Sequence, residues 1–148
     1  MEEFKIVLPL YVDLPRKKVK DKRVRINLNI YRNLNPFTEN ECKKKYQEIV
    51  KELLPKISYE KIEIEFTMFK KFYNKDGTIK KTIIDKSNVY SIATKYFLDA
   101  LVSAKVIEDD NDLFVKRETI NPTEYIENNE EERIEIIVKK WSKIWKKI

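Results

Sequence analysis

The chain has 148 residues, of which 42% are hydrophobic and 38% charged, and this composition predicts one globular domain with a highly charged surface. The single glycine excludes glycine-rich phosphate loops and nucleotide-cofactor fingerprints, while the absence of histidine excludes Ser-His-Asp triads and histidine-containing zinc sites. The formal charge of +6 is compatible with a nucleic-acid partner, and the single Cys42 is typical of a reducing, cytoplasmic setting.

The first third of the chain predicts two strands followed by a helix. Residues 4–12 are apolar and β-branched, and they predict a strand interrupted by its proline. Residues 24–30 alternate between apolar and polar side chains, which predicts a second, half-buried strand. A helix-start signal follows at residues 35–38, with Thr38 as N-cap, and the helix is expected to end at about Leu54. Its buried face is predicted to contain Tyr46, Ile49, Val50 and Leu53.

A hairpin is predicted in the middle of the chain. Residues 62–69 alternate cleanly and indicate a strand with one wet face. The turn chemistry of residues 74–77 includes Gly77, the only glycine available for a tight turn. Residues 82–84 are expected to return as a short strand.

The last third predicts a long helix and two strands. Apolar residues recur at helical spacing from Ser87 or Asn88, either of which is a suitable N-cap, to about Ala104. Strands are expected at residues 113–115 and 134–138, with a solvated acidic loop at 127–132 between them. The elements together predict an α/β (α+β) fold, a single domain with a mixed β-sheet and two main helices.

Four aspartates around the long helix suit a divalent metal. Asp85 precedes the helix, Asp99 lies on it, and Asp109 and Asp110 follow it. Mg²⁺ prefers carboxylate oxygens, and phosphodiester hydrolysis uses such a metal to activate water or to stabilise transition-state charge. Lys95 stands four residues before Asp99, hence on the same helix face, where an ammonium group can stabilise a scissile phosphate. The two ends of this acidic set meet only if the chain turns back sharply after the helix.

This acidic stretch resembles the signature of RusA-like Holliday junction resolvases. That signature has an Asp-x-Asp-Asn start, a lysine one helical turn on, a Leu-Asp-Ala-Leu box and a closing Asp-Asp pair. The similarity covers about residues 83–115, and the order of elements resembles the family over most of the chain. The matching residues are Asp85, Asn88, Lys95, Leu98, Asp99, Ala100, Leu101, Asp109 and Asp110.

The resemblance implies a RusA-like fold and a homodimeric endodeoxyribonuclease that cuts four-way DNA junctions symmetrically in recombination and repair. It implies Mg²⁺ as cofactor, with Mn²⁺ as a substitute, and no nucleotide cofactor. The implied metal ligands are Asp85, Asp99, Asp109 and Asp110, and the implied catalytic residues are Asp85, Lys95, Asp109 and Asp110.

Two departures from the signature leave alternatives open. Ser87 stands where the signature has its second Asp, and the gap before Lys95 is longer by four residues, about one helical turn. One alternative is a descendant of the fold that binds DNA or protein without cutting, and another is a nuclease for other branched or flapped DNA. On the simplest interpretation, Asp85 stabilises a helix dipole, Lys95 and Asp99 form a surface pair, and the Asp-Asp pair lies in a solvated turn.

Lysines and arginines concentrate in two segments that predict contacts with DNA phosphates. One is the basic stretch 16–25, and the other surrounds the predicted hairpin as far as the acidic motif. Phosphate contacts supply most of the affinity in such complexes. No apolar run reaches the length of a membrane span, so we expect a soluble protein with no membrane partner. The predicted DNA-binding residues are Arg16, Lys17, Lys18, Lys20, Lys22, Arg23, Arg25, Lys80, Lys81 and Lys86.

Overall fold

Strands and helices alternate irregularly along the chain. The computed structural model describes residues 1–80, 86–127 and 129–142. The fold is a mixed α+β domain with two main helices, α2 and α3, as the sequence predicted. In chain order the elements are β1 (Glu3–Pro9), β2 (Tyr11–Leu14), β3 (Lys22–Arg25), α1 (Leu28–Arg32), α2 (Pro36–Leu53), β4 (Ile62–Lys71), α3 (Lys86–Ser103), β5 (Val115–Ile120), β6 (Glu124–Ile126) and β7 (Arg133–Lys140).

β4 is the central strand of the main sheet. It pairs antiparallel with β7 on one side and parallel with β5 and β6 on the other, giving the order β1-β7-β4-β5. Because successive strand side chains point to opposite faces, Ile62, Ile64, Phe66 and Met68 are all buried on one face. The alternation predicted for this segment is therefore confirmed, and it fixes which face of the sheet carries the core. β2 and β3 form a separate two-stranded ribbon.

The long helix α3 packs on the buried face of β4. Phe66 meets Tyr90 and Phe97 edge-to-face, with ring centroids 5.7 and 6.4 Å apart. Ala93 and Ala100 are fully buried on the same helix, and their small side chains allow close approach to its neighbours. α2 lies against α3. Among the residues described, no helix has the length and apolar character needed to span a membrane.

The predicted strand over residues 24–30 is wrong beyond Arg25. β3 ends there, and Asn27 caps α1 because its side-chain oxygen accepts a hydrogen bond from the Asn29 amide at 2.9 Å. The side chain of Tyr31 then points into the core, whereas Ile30 is 37% exposed. A local cap thus overrides the apolar alternation, and in the helical turn Tyr31 takes the buried position that the strand pattern assigned to Ile30.

The first main helix begins three residues earlier than predicted. Asn35, not Thr38, is the N-cap, because the Asn35 side-chain oxygen accepts the Thr38 amide at 2.8 Å and Pro36 occupies the first helical position. The predicted end before Pro55 is confirmed. Leu53, predicted to be buried, is half exposed because it lies in the last, solvent-facing turn of the helix.

The boundaries around α3 also differ from the prediction. α3 already includes Lys86, so Ser87 and Asn88 lie inside the helix and neither is its N-cap. The strand predicted at 113–115 starts only at Val115, because the preceding residues form a turn stabilised by Asn111. The predicted return strand 82–84 lies outside the described residues.

The residue before the last in β4 is a buried lysine. Lys70 continues the core-facing side of the strand and is only 6% exposed. Its Nζ lies 2.9 Å from Oε2 of Glu132, which also accepts the Lys71 amide at 2.9 Å. Burial by itself raises the pKa of Glu132, but the hydrogen bonds from Lys70 and Lys71 outweigh burial and hold the pKa below its ordinary value. The prediction that the 127–132 loop is solvated is therefore wrong at Glu132.

We predict that Glu132→Gln destabilises the protein by about 3 kcal/mol at pH 7, because it leaves the Lys70 charge buried without its partner. Urea denaturation measures the change, and Glu131→Gln, at an exposed neighbouring position, is the matched control. The folded-state pKa of Glu132 is lowered from its ordinary value of 4.5. The charged carboxylate therefore adds to the free energy of unfolding fully above about pH 4.5, and this stabilisation is lost as the pH falls through the lowered pKa. A loss no larger than that of the control would contradict the prediction.

Candidate active site

A cleft of about 330 Å³ opens between α2, the last turns of α3 and the loop that follows α3. Three of the predicted aspartates line it: Asp99 from the helix, and Asp109 and Asp110 from the loop. Lys43 from α2 lies on the opposite side, with its Nζ 3.8 Å from Oδ2 of Asp99. The structure thus brings together three of the four acidic residues that the sequence singled out.

The loop returns to the helix because α3 ends in a tight reversal. Lys105 adopts a left-handed conformation with φ 61°, and the Val106 amide donates to the Leu101 carbonyl at 2.9 Å. Val106 and Ile107 are then buried, and the Val106 carbonyl accepts the Tyr59 amide at 2.7 Å. These contacts anchor the chain immediately before the Asp-Asp pair, so the sharp turn that the acidic set required is present.

Asp109 and Asp110 have different surroundings. The two carboxylate oxygens of Asp109 accept hydrogen bonds from the Asp110 amide at 2.8 Å and the Asn111 side chain at 3.2 Å, which shape the loop. Within the described part of the chain, no hydrogen bond is made to the Asp110 carboxylate. Asp110 is therefore the member of the pair with free oxygen lone pairs, and Asp109 has a structural task as well.

Glu118 on β5 is an acidic neighbour that the sequence analysis missed. It shares with Asp110 the walls of a second depression of about 250 Å³. Partial burial raises the pKa of Glu118, and the negative charge of Asp110 raises it further. A β-bulge between Ile62 and Glu63 shifts the register so that Glu118 stands beside Ile64. The hydrophobic periodicity of the sequence gives no sign of this register shift. A prediction that the strand extends from Val115 to Ile120 would have been the one sequence signal pointing to Glu118.

The structure separates Lys95 from the cleft lining. Lys95 is exposed on α3, one helical turn before Asp99, and it is not among the residues that form the cleft wall. The ion pair to Asp99 comes from Lys43 instead. Asp85 lies outside the described residues, so its distance from Asp110 stays a prediction.

The donor chemistry at the cleft and the adjoining depression suits a hard divalent cation, since Asp99, Asp109 and Asp110 in the first and Glu118 in the second offer carboxylate oxygens. The spacing is looser than a formed metal site: in the residues that the structure describes, no group of three or more acidic side chains is placed to hold a metal ion. The carboxylates fit Mg²⁺ by type, and binding would require them to draw together.

The predicted DNA-binding arginines are mostly paired with acids. Arg16 contacts Glu41 through two hydrogen bonds of 3.0 and 3.3 Å, and Arg23 contacts Asp13 at 2.9 and 3.2 Å. Because Arg23 donates to it, the pKa of Asp13 lies below its ordinary value. These pairs reduce the positive charge that the arginines present to a phosphate.

The predicted DNA-binding lysines fall into three groups. Lys80 lies 3.8 Å from Glu132, and Lys86 donates to the Asn121 carbonyl at 3.3 Å. Lys81 lies outside the described residues. The basic loop joining β2 and β3 and the start of β3 present exposed lysines, which make this ribbon the most cationic part of the predicted DNA surface: Lys17, Lys18, Lys20 and Lys22.

Comparison with known proteins does not assign a family. No family model matches the chain, and no curated protein matches it significantly. The likeness to RusA-like resolvases therefore stays a resemblance carried by the acidic motif, and the function is argued from the cleft and its surroundings.

We predict that Glu118→Gln raises the thermal unfolding midpoint by about 1–2 °C at pH 7 without divalent metal, because it removes a charge that partial burial and, to a smaller degree, the nearby Asp110 disfavour. The folded-state pKa of Glu118 is raised, so the rise in midpoint caused by the substitution is complete above that pKa. It vanishes below about pH 4, where the carboxyl of the wild type is neutral in both the folded and the unfolded protein. Scanning calorimetry measures it, with Glu124→Gln on exposed β6 as control. An unchanged or lowered midpoint at pH 7 would contradict the prediction.

Proposed function

We propose that the protein is a metal-dependent endonuclease that resolves four-way DNA junctions in recombination and repair. The observation that carries the proposal is the reversal after α3, which puts Asp109 and Asp110 beside Asp99 in one open cleft. A carboxylate cluster at the surface of a basic protein is the arrangement that metal-assisted phosphodiester cleavage needs. The resemblance of the motif to RusA-like resolvases supports the choice of a branched substrate.

In this proposal Asp85, Asp99, Asp109 and Asp110 hold Mg²⁺, or Mn²⁺ in its place, with Glu118 as an added ligand beside Asp110. The ion supplies Lewis-acid stabilisation and an activated water when bound. Asp110 contributes the oxygens left free by the loop, while Asp109 keeps the loop in shape as it binds. Lys95, one helical turn before Asp99 and outside the cleft wall, is the residue that this proposal assigns to the scissile phosphate, whose developing charge it would stabilise.

The same proposal assigns DNA binding to the exposed lysines at the β2–β3 ribbon. Residues 17–22 extend from the domain and offer ammonium groups to phosphates. A homodimer would place two clefts across the junction, since two symmetric incisions on a two-fold substrate are most simply made by a two-fold protein. We place the protein in the reducing cytoplasm, in keeping with the buried free thiol of Cys42.

A second candidate is a descendant that binds branched DNA without cutting it. Two observations favour it: Asp109 uses both carboxylate oxygens within its loop, and Asp99 lies against Lys43. Ser87, in place of the second motif aspartate, removes one carboxylate from the set. Metal-dependent incision separates the two candidates directly.

We predict that the purified protein converts a synthetic mobile four-way junction into symmetrically nicked duplexes with Mg²⁺ but not with EDTA. Asp110→Asn should reduce the incision rate by about 100-fold, because it removes a charged oxygen ligand. Asp112→Asn, in the same loop, is the matched control and should cut normally. Gel separation of end-labelled strands measures the rates.

Two other outcomes would change the proposal. Tight junction binding without incision in Mg²⁺ or Mn²⁺ would support the binding-only candidate. Equal affinity for the junction and for a linear duplex of the same length would contradict both candidates.

We predict that Lys95→Ala lowers the incision rate by about 100-fold while junction affinity changes little, because the lysine acts on the transition state. Lys44→Ala, at an exposed position of α2, is the control for loss of one surface charge. Lys43→Ala belongs in the same series because Lys43 lies on the cleft. If Lys43→Ala lowers the incision rate and Lys95→Ala does not, Lys43 rather than Lys95 stabilises the scissile phosphate in the transition state.

A further inference from the structure

Three aromatic side chains form an exposed cluster where β4 ends. Phe72, Tyr73 and Tyr125, here called the aromatic cluster, are 39%, 41% and 58% exposed. The Phe72 ring meets Tyr73 and Tyr125 edge-to-face, with centroids 5.2 and 5.3 Å apart and interplanar angles of 87° and 71°. The rings therefore support one another while part of each remains open to solvent.

The main chain holds this cluster in place. Tyr73 bridges Ile79 across the turn at Gly77, and the Phe72 carbonyl accepts the Lys80 amide at 3.0 Å. Tyr125 comes from β6, which pairs with the end of β4. Two separate segments of the chain thus bring exposed rings to one place. A contiguous exposed apolar patch of this kind is typical of an interaction site.

Cations adjoin the aromatic cluster. Lys70 and Lys71 immediately precede Phe72 in the chain. Lys70, Lys80 and Arg25 all lie within 4.0 Å of the Glu132 carboxylate, so three positive charges meet one negative charge. Lys80 is held against the aromatic cluster, because its amide donates to the Phe72 carbonyl.

We propose that the aromatic cluster binds the unpaired bases of single-stranded DNA, with Arg25, Lys71 and Lys80 contacting the flanking phosphates. Rings stack on bases irrespective of sequence, and neighbouring cations hold the backbone, which is the usual chemistry of single-strand binding. Duplex DNA does not expose base faces, so the rings select for unpaired strands. This inference goes beyond junction cleavage, since it needs neither metal nor incision and does not rest on the acidic cleft.

The first test compares oligonucleotides with wild-type protein in EDTA. Fluorescence anisotropy measures binding of a labelled 12-mer of thymidines, an abasic 12-mer with the same phosphates, and a blunt 12-base-pair duplex. Stacking predicts that the thymidine strand binds about 10-fold more tightly than the abasic strand. Equal binding of the two strands would overturn the proposal, because phosphate contacts alone would then account for the affinity.

The second test removes the rings while keeping apolar volume. Tyr73→Leu and Tyr125→Leu should each weaken thymidine binding by about 5- to 50-fold and leave abasic binding unchanged. Phe37→Leu, at an 88% exposed ring at the start of α2, is the matched control. Circular dichroism melting verifies that each variant is folded. If Tyr73→Leu and Tyr125→Leu bind thymidines as the wild type does, the proposal fails.

Sedimentation distinguishes another occupant, a second copy of the chain. The proposal expects wild type and the Tyr73→Leu/Tyr125→Leu double variant to have the same oligomeric state. A double variant that dissociates a wild-type dimer while retaining thymidine binding would assign the aromatic cluster to self-association and overturn the proposal. Failure of junction incision leaves these measurements intact, so the two proposals can fail separately.

Discussion

The alternation of β4 is the constraint on which both candidate sites depend. Its buried side chains pack against α3, and the edge opposite β7 pairs with β5 and β6 in parallel register. At its start, the loop after α3 is anchored through Tyr59 and Val106, near the acidic cleft. At its end, Lys70 meets Glu132 and the aromatic cluster begins. The strand's ten residues span about 30 Å, so one rigid element separates the two surfaces.

Regular elements were predictable from the sequence wherever side-chain periodicity and burial agreed. β4 and β7 alternate along their whole length, and α3 repeats apolar residues at helical spacing. Prediction failed at residues 28–32, where the Asn27 cap starts a helix despite the apolar alternation, so that Tyr31 rather than Ile30 is buried. It failed again at Glu132, since an acidic run gives no sign that one member pairs with a buried Lys70.

The candidate site was predictable in part for a similar reason. The order of residues along the chain permitted Asp109 and Asp110 to return to Asp99, but the reversal itself, through the left-handed Lys105, was found only in the structure. Glu118 and Lys43 reach the same region through a β-bulge and a helix–helix contact, which are tertiary features. Asp85 lies outside the described residues, so its part in the site stays a prediction.

The charge distribution suggests how the two surfaces would divide the work in the proposed function. The domain is basic as a whole, yet Asp99, Asp109, Asp110 and Glu118 concentrate negative charge around one cleft, which repels phosphate until a cation neutralises it. In the proposed function, DNA binding would therefore begin elsewhere, at the exposed lysines of the β2–β3 ribbon and at the cations near the end of β4. A divalent ion held by the carboxylates would convert the cleft from a surface that repels phosphate into one that attracts it. The proposal then expects metal to control incision far more than DNA affinity, and bound metal to stabilise the folded state.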